Sequence, residues 1–428
     1  MSRRVRNTAG NGPTVNGPRI LAIDLGTSAV KTIVWTPQDG VVARGHAPVP
    51  TTHPQTGWDE QDAGDWWVAV QAALDAVPLD DLDGVGLSSQ RETFVCLDDG
   101  GHPLRPAILW SDGRAAGPEA RFAWLQHNEP EVVRRTRWLA APKDFVLHRL
   151  VGRLVTDTTL ASRTDLSPAL LPEIVEPRTI VGDFHGAPVV AGAGDRTCEA
   201  LSVAASPRIP MVSWGTTANC SFPLGDGAVP RGWRSSAYVD GGMLAEAGLS
   251  AAGSALAWLA ERVSLPVGKL QARAAHAPPG ANGVIALPWL NGARAPWWRP
   301  DAQMTLIGAA PDTDAGDMAC AIYEGVAHDL RRALAELPEP PVRLALVGGG
   351  AHDPVWQQIL TGITGLPAVV HGGDSAAIGA AMLATNLAGR SWLARVEIIR
   401  PPEDVVAVYA ELAKAHDAAA ASVLGLST

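Results

Sequence analysis

Residues 19–25 (RILAIDL) are apolar apart from Arg19 and Asp24, the pattern of a strand buried on both faces. Residues 29–36 (AVKTIVWT) predict its hairpin partner, and 40–47 a third strand after the turn Gln38-Asp39-Gly40. Helical spacing with acidic residues at its start marks 62–77. Strands are predicted at 85–89 and 93–97, and a helix closing on glycine at 142–152. Residues 187–195 read as a strand that ends in small residues and one carboxylate, Asp195. The stretch 210–222 then repeats the opening: strand, Gly-Thr-Thr, strand. Beyond it the pattern predicts helix 250–261, strand 283–287, helix 315–336, strand 342–347, and helices 354–363 and 375–387. Alternating strands and helices indicate an α/β fold with a mixed sheet in each half.

The repeat has consequences. Gly26-Thr27-Ser28 and Gly215-Thr216-Thr217 occupy the same strand–turn–strand context in the two halves. Together they indicate a duplicated domain, a cleft between the copies, and one hairpin tip from each copy facing it. The boundary falls near 204–209. That gives a disordered tail over 1–18, an N-terminal domain over 19–206 and a C-terminal domain over 207–428.

Composition narrows the partners. The chain has 428 residues, 46% hydrophobic and 18% charged, which fits two or three globular domains. A net charge of −10 argues against a nucleic-acid or anionic-membrane surface. No apolar run is long enough for a membrane span, and the basic start lacks the apolar core of a secretory signal. The four cysteines are scattered without a C-x-x-C, which points to a reducing cytoplasm rather than a disulfide or metal framework. A small-molecule substrate is the expected partner, and a homodimer is compatible with the chain.

Several segments carry chemistry. Backbone amides in tight Gly-Thr turns make anion-binding concavities to which hydroxyls add donors. The two tips could grip the phosphates of a nucleotide, with Asp24 beside one of them suited to Mg²⁺; an ordinary hairpin turn is the alternative for each. Gly348-Gly349-Gly350-Ala351 follows a strand and precedes a helix that starts with Asp353 as its cap and Pro354 at its first position. Glycines there let a ligand approach the backbone at a helix N-terminus. Asp195 either caps the helix that follows or acts as a general base toward a hydroxyl. Gln90, Arg91, Glu92, Trp110 and Asp112 mix donors, acceptors and an aromatic face, as a polyol or sugar requires. A surface turn with an Arg–Glu pair and a core tryptophan is the alternative.

Taken in order, these segments resemble the FGGY carbohydrate kinases of the actin/Hsp70/hexokinase superfamily, from residue 19 through nearly the whole chain. The resemblance rests on AIDLGTSAVK (22–31), GWDEQDAGDWW (57–67), SSQRETF (88–94), LRPAILWSDGRA (104–115), PKDFVLHRLVG (142–152), AGAGD (191–195), SWGTTA (213–218), PWLNGARAPWW (288–298), DMACAIYEGVA (317–327), GGGAHDPVWQQI (348–359) and SAAIGAAMLA (375–384). It implies a two-domain actin-like ATPase fold, ribonuclease H-like in each half, with ATP and Mg²⁺ in the interdomain cleft. It implies Asp195 as the catalytic base and Asp24 as the Mg²⁺ ligand. It assigns Gly26, Thr27, Ser28, Lys31, Gly215, Thr216 and Thr217 to the phosphates and Gly349, Gly350 and Ala351 to the nucleotide. Gln90, Arg91, Glu92, Trp110, Asp195 and Arg196 fall at the sugar.

Departures from the family pattern gather on the sugar side. The stretches after Arg114 and after Arg163 are short, Phe122-Ala123 stands where a lysine is usual, and Leu306-Ile307-Gly308-Ala309 fits its signature only in part. Asp195 is followed by Arg196, where xylulokinases tend to have Asn and glycerol kinases Gln. LRPAILWSDGRA and GWDEQDAGDWW look like xylulokinases, whereas QRET looks like glycerol kinases. The expected activity is phosphorylation of a ketose such as xylulose. Glycerol or another short polyol is the alternative substrate, and a non-catalytic actin-like sensor the alternative of another class.

Overall fold

The structure, a computed structural model, describes residues 17–225, 227–385 and 398–426. Most of the tail expected over 1–18 lies outside these residues, as does the end of the helix expected over 375–387. Each half is built on one sheet. In the first, β1 (Ile20–Leu25), β2 (Ala29–Thr36) and β3 (Gly40–Pro48) form an antiparallel meander. β4 (Gly84–Ser89) then runs parallel to β1, and β5 (Ala187–Val190) parallel to β4. In the second, β6 (Met211–Trp214), β7 (Ala218–Gly225) and β8 (Met243–Gly248) repeat the meander. β9 (Leu344–Val347) lies parallel to β6, and β10 (Ala368–Val370) parallel to β9. Over these five strands, order and sense are the same in both sheets, and the duplication signalled by the two Gly-Thr turns is a duplication of this shared topology.

The helices that matter for the site are α1 (Ala63–Leu74), α2 (Pro142–Val151), α3 (Asp195–Ser202), α4 (Ala315–Ala335), α5 (Pro354–Thr364), α6 (Ser375–Leu383) and α7 (Glu403–Leu424). They explain why β1 is apolar on both faces apart from Asp24. Leu21, Ile23 and Leu25 pack with Trp66 and Val70 of α1, while Ile20 and Ala22 on the other face pack with Ala377, Ala380 and Ala381 of α6.

That second contact crosses the halves. α6 belongs to the second half by sequence yet covers the first sheet, and α3 of the first half sends Ala200, with Val203 at its C-cap, into the second half's core. The two helices touch closely: a Cβ on Gly379 would sit 1.9 Å from the Cys198 carbonyl oxygen. We propose 19–206 and 207–428 as the domains because each range carries one seven-stranded sheet. Packing does not stop at that line, and α3 and α6 form the joint between the sheets.

Candidate active site at the junction of the two sheets

The first hairpin tip is closed by Gly26 N donating to the Ala29 carbonyl at 3.1 Å, the second by Gly215 N donating to Thr217 at 3.0 Å. Thr27 ties its tip to the residues expected at the sugar. Its hydroxyl donates to Gln90 Oε1 (3.1 Å) and accepts from the Trp110 indole (3.0 Å), and Gln61 donates to its carbonyl (2.6 Å). Behind the second tip, the first amides of helix Gly253–Arg262 bond back to it, Gly253 N to Gly215 O and Ser254 N to Thr216 O, each at 3.0 Å.

Asp24 accepts from the Ser88 hydroxyl at 2.6 Å. Burial pushes its carboxyl up to about 7, against the Ser88 bond and Lys31, with the charges of Asp195 and Glu199 adding to the rise. Lys31 stands opposite Asp24 in the β1–β2 register and donates to the Gly373 carbonyl at 3.0 Å, across the halves. A carboxylate so destabilised by burial and like charge is relieved by a divalent cation. Among the described residues no group of three or more His, Cys, Asp or Glu is arranged to hold a metal alone. The Asp24 carboxylate suits Mg²⁺, which is held by one or two carboxylates and keeps several waters.

Asp195 is the first residue of α3, and the cap position is Gly194. Its Oδ1 accepts from the Arg196 amide at 2.7 Å and lies 3.5 Å from Arg91 Nε, and its side chain is 35% exposed. The two glycines of the Gly-x-Gly-Asp run have separate reasons. Gly192 has φ +78° and its Cβ would meet the Leu87 carbonyl oxygen at 2.1 Å; a Cβ on Gly194 would meet Arg91 Cγ at 2.8 Å.

The sugar-side residues are not arranged as a surface Arg–Glu pair. Arg91 turns across the cleft to Glu246 of β8, with Nη1 to Oε2 at 3.0 Å and Nη2 to Oε1 at 2.7 Å. Glu92, at φ +63°, pairs instead with Arg163, whose Nη1 reaches Glu246 Oε2 at 3.1 Å. Burial alone would raise the Glu246 carboxyl, but Arg91 and Arg163 outweigh it and hold it down at about 2. Trp110 is 39% exposed, so it is no core residue. Asp112 is closed off: it accepts from Arg114 Nε (2.8 Å) and the Asp59 amide (2.7 Å) and is buried. Gln90 is buried, with Nε2 lacking a partner among the described residues. Arg196 Nη1 lies 2.8 Å from Glu199 and 2.6 Å from the Ser213 hydroxyl of the second half, and its charge adds to those that hold the Glu246 carboxyl down. Ser213 precedes Gly215 by two residues, as Asp24 precedes Gly26.

Glu246 and Arg163 carry this site and the sequence reading passed over them as ligands. A signal for Glu246 existed. It is a lone carboxylate in a buried strand (MLAEAG), the same anomaly that drew attention to Asp24 in β1.

At the glycine run, β9 leads through the turn Gly349–His352 into α5, whose cap Asp353 accepts from Val355 N at 2.9 Å. A Cβ on Gly349 would meet nothing within 4 Å, whereas one on Gly350 would strike Trp214 Cδ1 at 1.9 Å. Trp214 is itself stacked on Tyr323 (5.4 Å between centroids) and packed on Trp356 (4.0 Å). The last residue before the second tip thus walls one side of the glycine run and leaves the other side open. Ala351 is buried.

Two sheets that share a five-strand topology, joined by crossing helices and lined with carboxylates, glycine turns and arginines, define a two-domain α/β phosphotransferase of the actin-like type. The N-terminal domain of the FGGY family of carbohydrate kinases matches residues 19–122, and its C-terminal domain matches 214–388. The xylulose kinase of Escherichia coli K12 is 30% identical, over 85% of this chain and 89% of its own length. That of Streptomyces rubiginosus is 32% identical, over 87% and 88%. The crystal structure of a ligand-bound xylulose kinase from Lactobacillus acidophilus, 20% identical, superposes with a TM-score of 0.83 over 95% of this chain and 98% of that one. The chain belongs to the FGGY family of carbohydrate kinases and is an ATP-dependent sugar kinase.

Proposed function

We propose that the enzyme transfers the γ-phosphoryl group of ATP to a hydroxyl of a ketose of the xylulose type. The observation that carries this reading is the position of Asp195. One carboxylate lies beside Arg91 on the sugar side and close enough to Asp24 to shift its titration on the phosphate side. Asp195 takes the proton of the sugar hydroxyl, whose oxygen attacks the γ-phosphorus in line as the bond from that phosphorus to the β–γ bridging oxygen breaks and ADP leaves. Gly26, Thr27, Ser28 and Lys31, with Gly215, Thr216 and Thr217, cradle the phosphates; the open face of Gly349, with Gly350 and Ala351 behind it, takes the nucleoside. Mg²⁺ would be held by Asp24 and would offset charge on the phosphates. Gln90 and Trp110 meet the sugar, and Arg91 and Glu92 do so from fixed positions, because Glu246 and Arg163 hold them. The family match leaves the sensor reading without support. A cytoplasmic setting fits the four cysteines, all buried and unpaired.

The test is ADP release with Mg-ATP over pentuloses, hexuloses, pentitols and glycerol. Xylulose or a close ketose is expected to give the highest kcat/KM; preference for glycerol would transfer the reading to a polyol kinase. Asp195→Asn is expected to keep ATP affinity and lose about 10²–10⁴ in kcat. Turnover within about threefold of the wild type would remove Asp195 from the mechanism.

A further inference from the structure

Lys143 is a fully buried lysine on α2, and nothing assigned so far uses it. Its ammonium lies 2.8 Å from Asp144 Oδ1 and 3.0 Å from Asp157 Oδ2, both carboxylates being buried as well. The other oxygen of Asp157 accepts from the Thr159 amide (2.8 Å) and the Thr159 hydroxyl (2.5 Å). Thr159 Oγ1 in turn accepts from the backbone amide of Gly194 at 3.0 Å. Gly194 is the residue before Asp195.

The polarity of this chain is fixed by proton count. A threonine hydroxyl has one proton. Here it is given to Asp157, so the oxygen faces Gly194 with lone pairs and can only accept. The Gly194 amide can only donate. The order Lys143 ammonium, Asp157 carboxylate, Thr159 hydroxyl, Gly194 amide has therefore one consistent arrangement.

A second constraint acts on the same segment. Ala193 and Gly194 pair with Ser88 and Ser89 of β4, the strand that leads directly into Gln90 and Arg91. The peptide before Asp195 is thus held from the strand side by β4 and from the opposite element by Thr159. The missing Cβ at Gly194 is the space that Arg91 Cγ and Cδ occupy.

A buried lysine–aspartate pair is poor value as stability, because desolvation offsets most of its Coulomb energy. Its defensible use is to fix geometry. We infer that Lys143, Asp157 and Thr159 are positioning residues: acting through the Gly194 amide, they set where the carboxylate of Asp195 stands relative to the acceptor hydroxyl. This rests on Asp195 being the base, as proposed above. Misplacement of a reacting group by an ångström costs on the order of 10²-fold in rate without weakening binding of either substrate.

The experiment compares Thr159→Val, which keeps the shape and removes the hydroxyl, with Thr159→Ser, which keeps the hydroxyl. Steady-state kinetics and amide hydrogen exchange over residues 190–196 are read on both. Thr159→Val is expected to lower kcat about 10- to 100-fold, to leave both KM values within about twofold, and to speed exchange at Gly194. Thr159→Ser is expected to return kcat to within about threefold and to restore protection. Equal kinetics in the two variants would overturn the inference, and so would a Thr159→Val effect confined to KM. A fall in kcat that merely tracks loss of folded protein, followed by circular dichroism, would also overturn it. Should Thr159→Val not fold, Asp157→Asn supplies the same comparison, because its amide weakens the acceptor without changing shape. The exchange measurement needs no turnover. If the wild type phosphorylates no sugar, the kinase reading fails while the relay to Gly194 is still tested by protection alone.

Discussion

Arg91 and Glu246 meet in a two-bond pair across the cleft, at 3.0 and 2.7 Å, one residue from each half of the chain. Neither belongs to the same sheet as the other. Arg163 adds a third bond to the same carboxylate at 3.1 Å. The cleft is therefore bridged by charge on its sugar side, as it is bridged by Lys31 and Gly373 on its phosphate side.

Removing that carboxylate is expected to weaken both the fold and the sugar site. Glu246→Ala takes from Arg91 its two-bond partner and leaves Arg163 with Glu92 alone, and loss of one partner of a buried pair costs about 3–5 kcal/mol. Chemical denaturation should show it directly. Glu246→Gln, which keeps the shape, is expected to raise the sugar KM about tenfold while the ATP KM stays within about twofold. The acid behaviour follows from the carboxyl held at about 2, below its ordinary 4.5. Its stabilisation is present above about pH 4.5 and is lost as the pH falls toward 2. The wild type should lose about 3 kcal/mol over that window relative to Glu246→Gln.

The glycine run separates a ligand effect from a folding effect. Gly349 has open space where a side chain would go, and Gly350 has Trp214. Gly349→Val is expected to fold normally and to weaken ATP binding at least tenfold by calorimetry, because the side chain fills the ligand's approach. Gly350→Val is expected to lower the unfolding midpoint by displacing Trp214 from Tyr323 and Trp356. Unchanged ATP affinity in a folded Gly349→Val protein would make the glycines a turn and nothing more.

Glu324 of α4 provides a pH dependence of opposite sign. It is buried and accepts from the Gly280 amide (2.7 Å) and the Tyr409 hydroxyl of α7 (2.9 Å). Burial outweighs these bonds and pushes its carboxyl up to about 7 from the ordinary 4.5. A raised group contributes stability that is complete below about pH 4.5 and is lost as the pH rises through 7. Between pH 4.5 and 8 the wild type should therefore lose about 3 kcal/mol more than Glu324→Gln. Parallel curves for the two proteins would show that Glu324 does not titrate in this range.

Local pattern made much of the fold readable. β1, β2, β4, β6 and α5 each follow from a strand run or a capped helix period, and the Asp353 cap with Pro354 behind it is formed as read. The strands Arg234–Ala237 and β8 were not legible, because RSSA carries no alternation and MLAEAG is apolar, short and interrupted by a carboxylate. The crossing of α3 and α6 was not legible either. Both helices are rich in small residues, and composition shows close packing without showing against which sheet.

For the site, the chain alone determined which residues are chemically able: Asp24, Asp195, the two Gly-Thr tips and the glycine run are set by short-range patterns, because turns, caps and strand ends are local features. Tertiary structure decided the pairings. Glu92 lies next to Arg91 in sequence, yet Arg91 bonds to Glu246, 155 residues away, and Glu92 to Arg163, 71 residues away. Adjacent residues diverge where the backbone turns, as it does at Glu92 with its positive φ. Buried charges are satisfied by whatever the packing brings within about 3 Å, a distance that sequence separation does not encode.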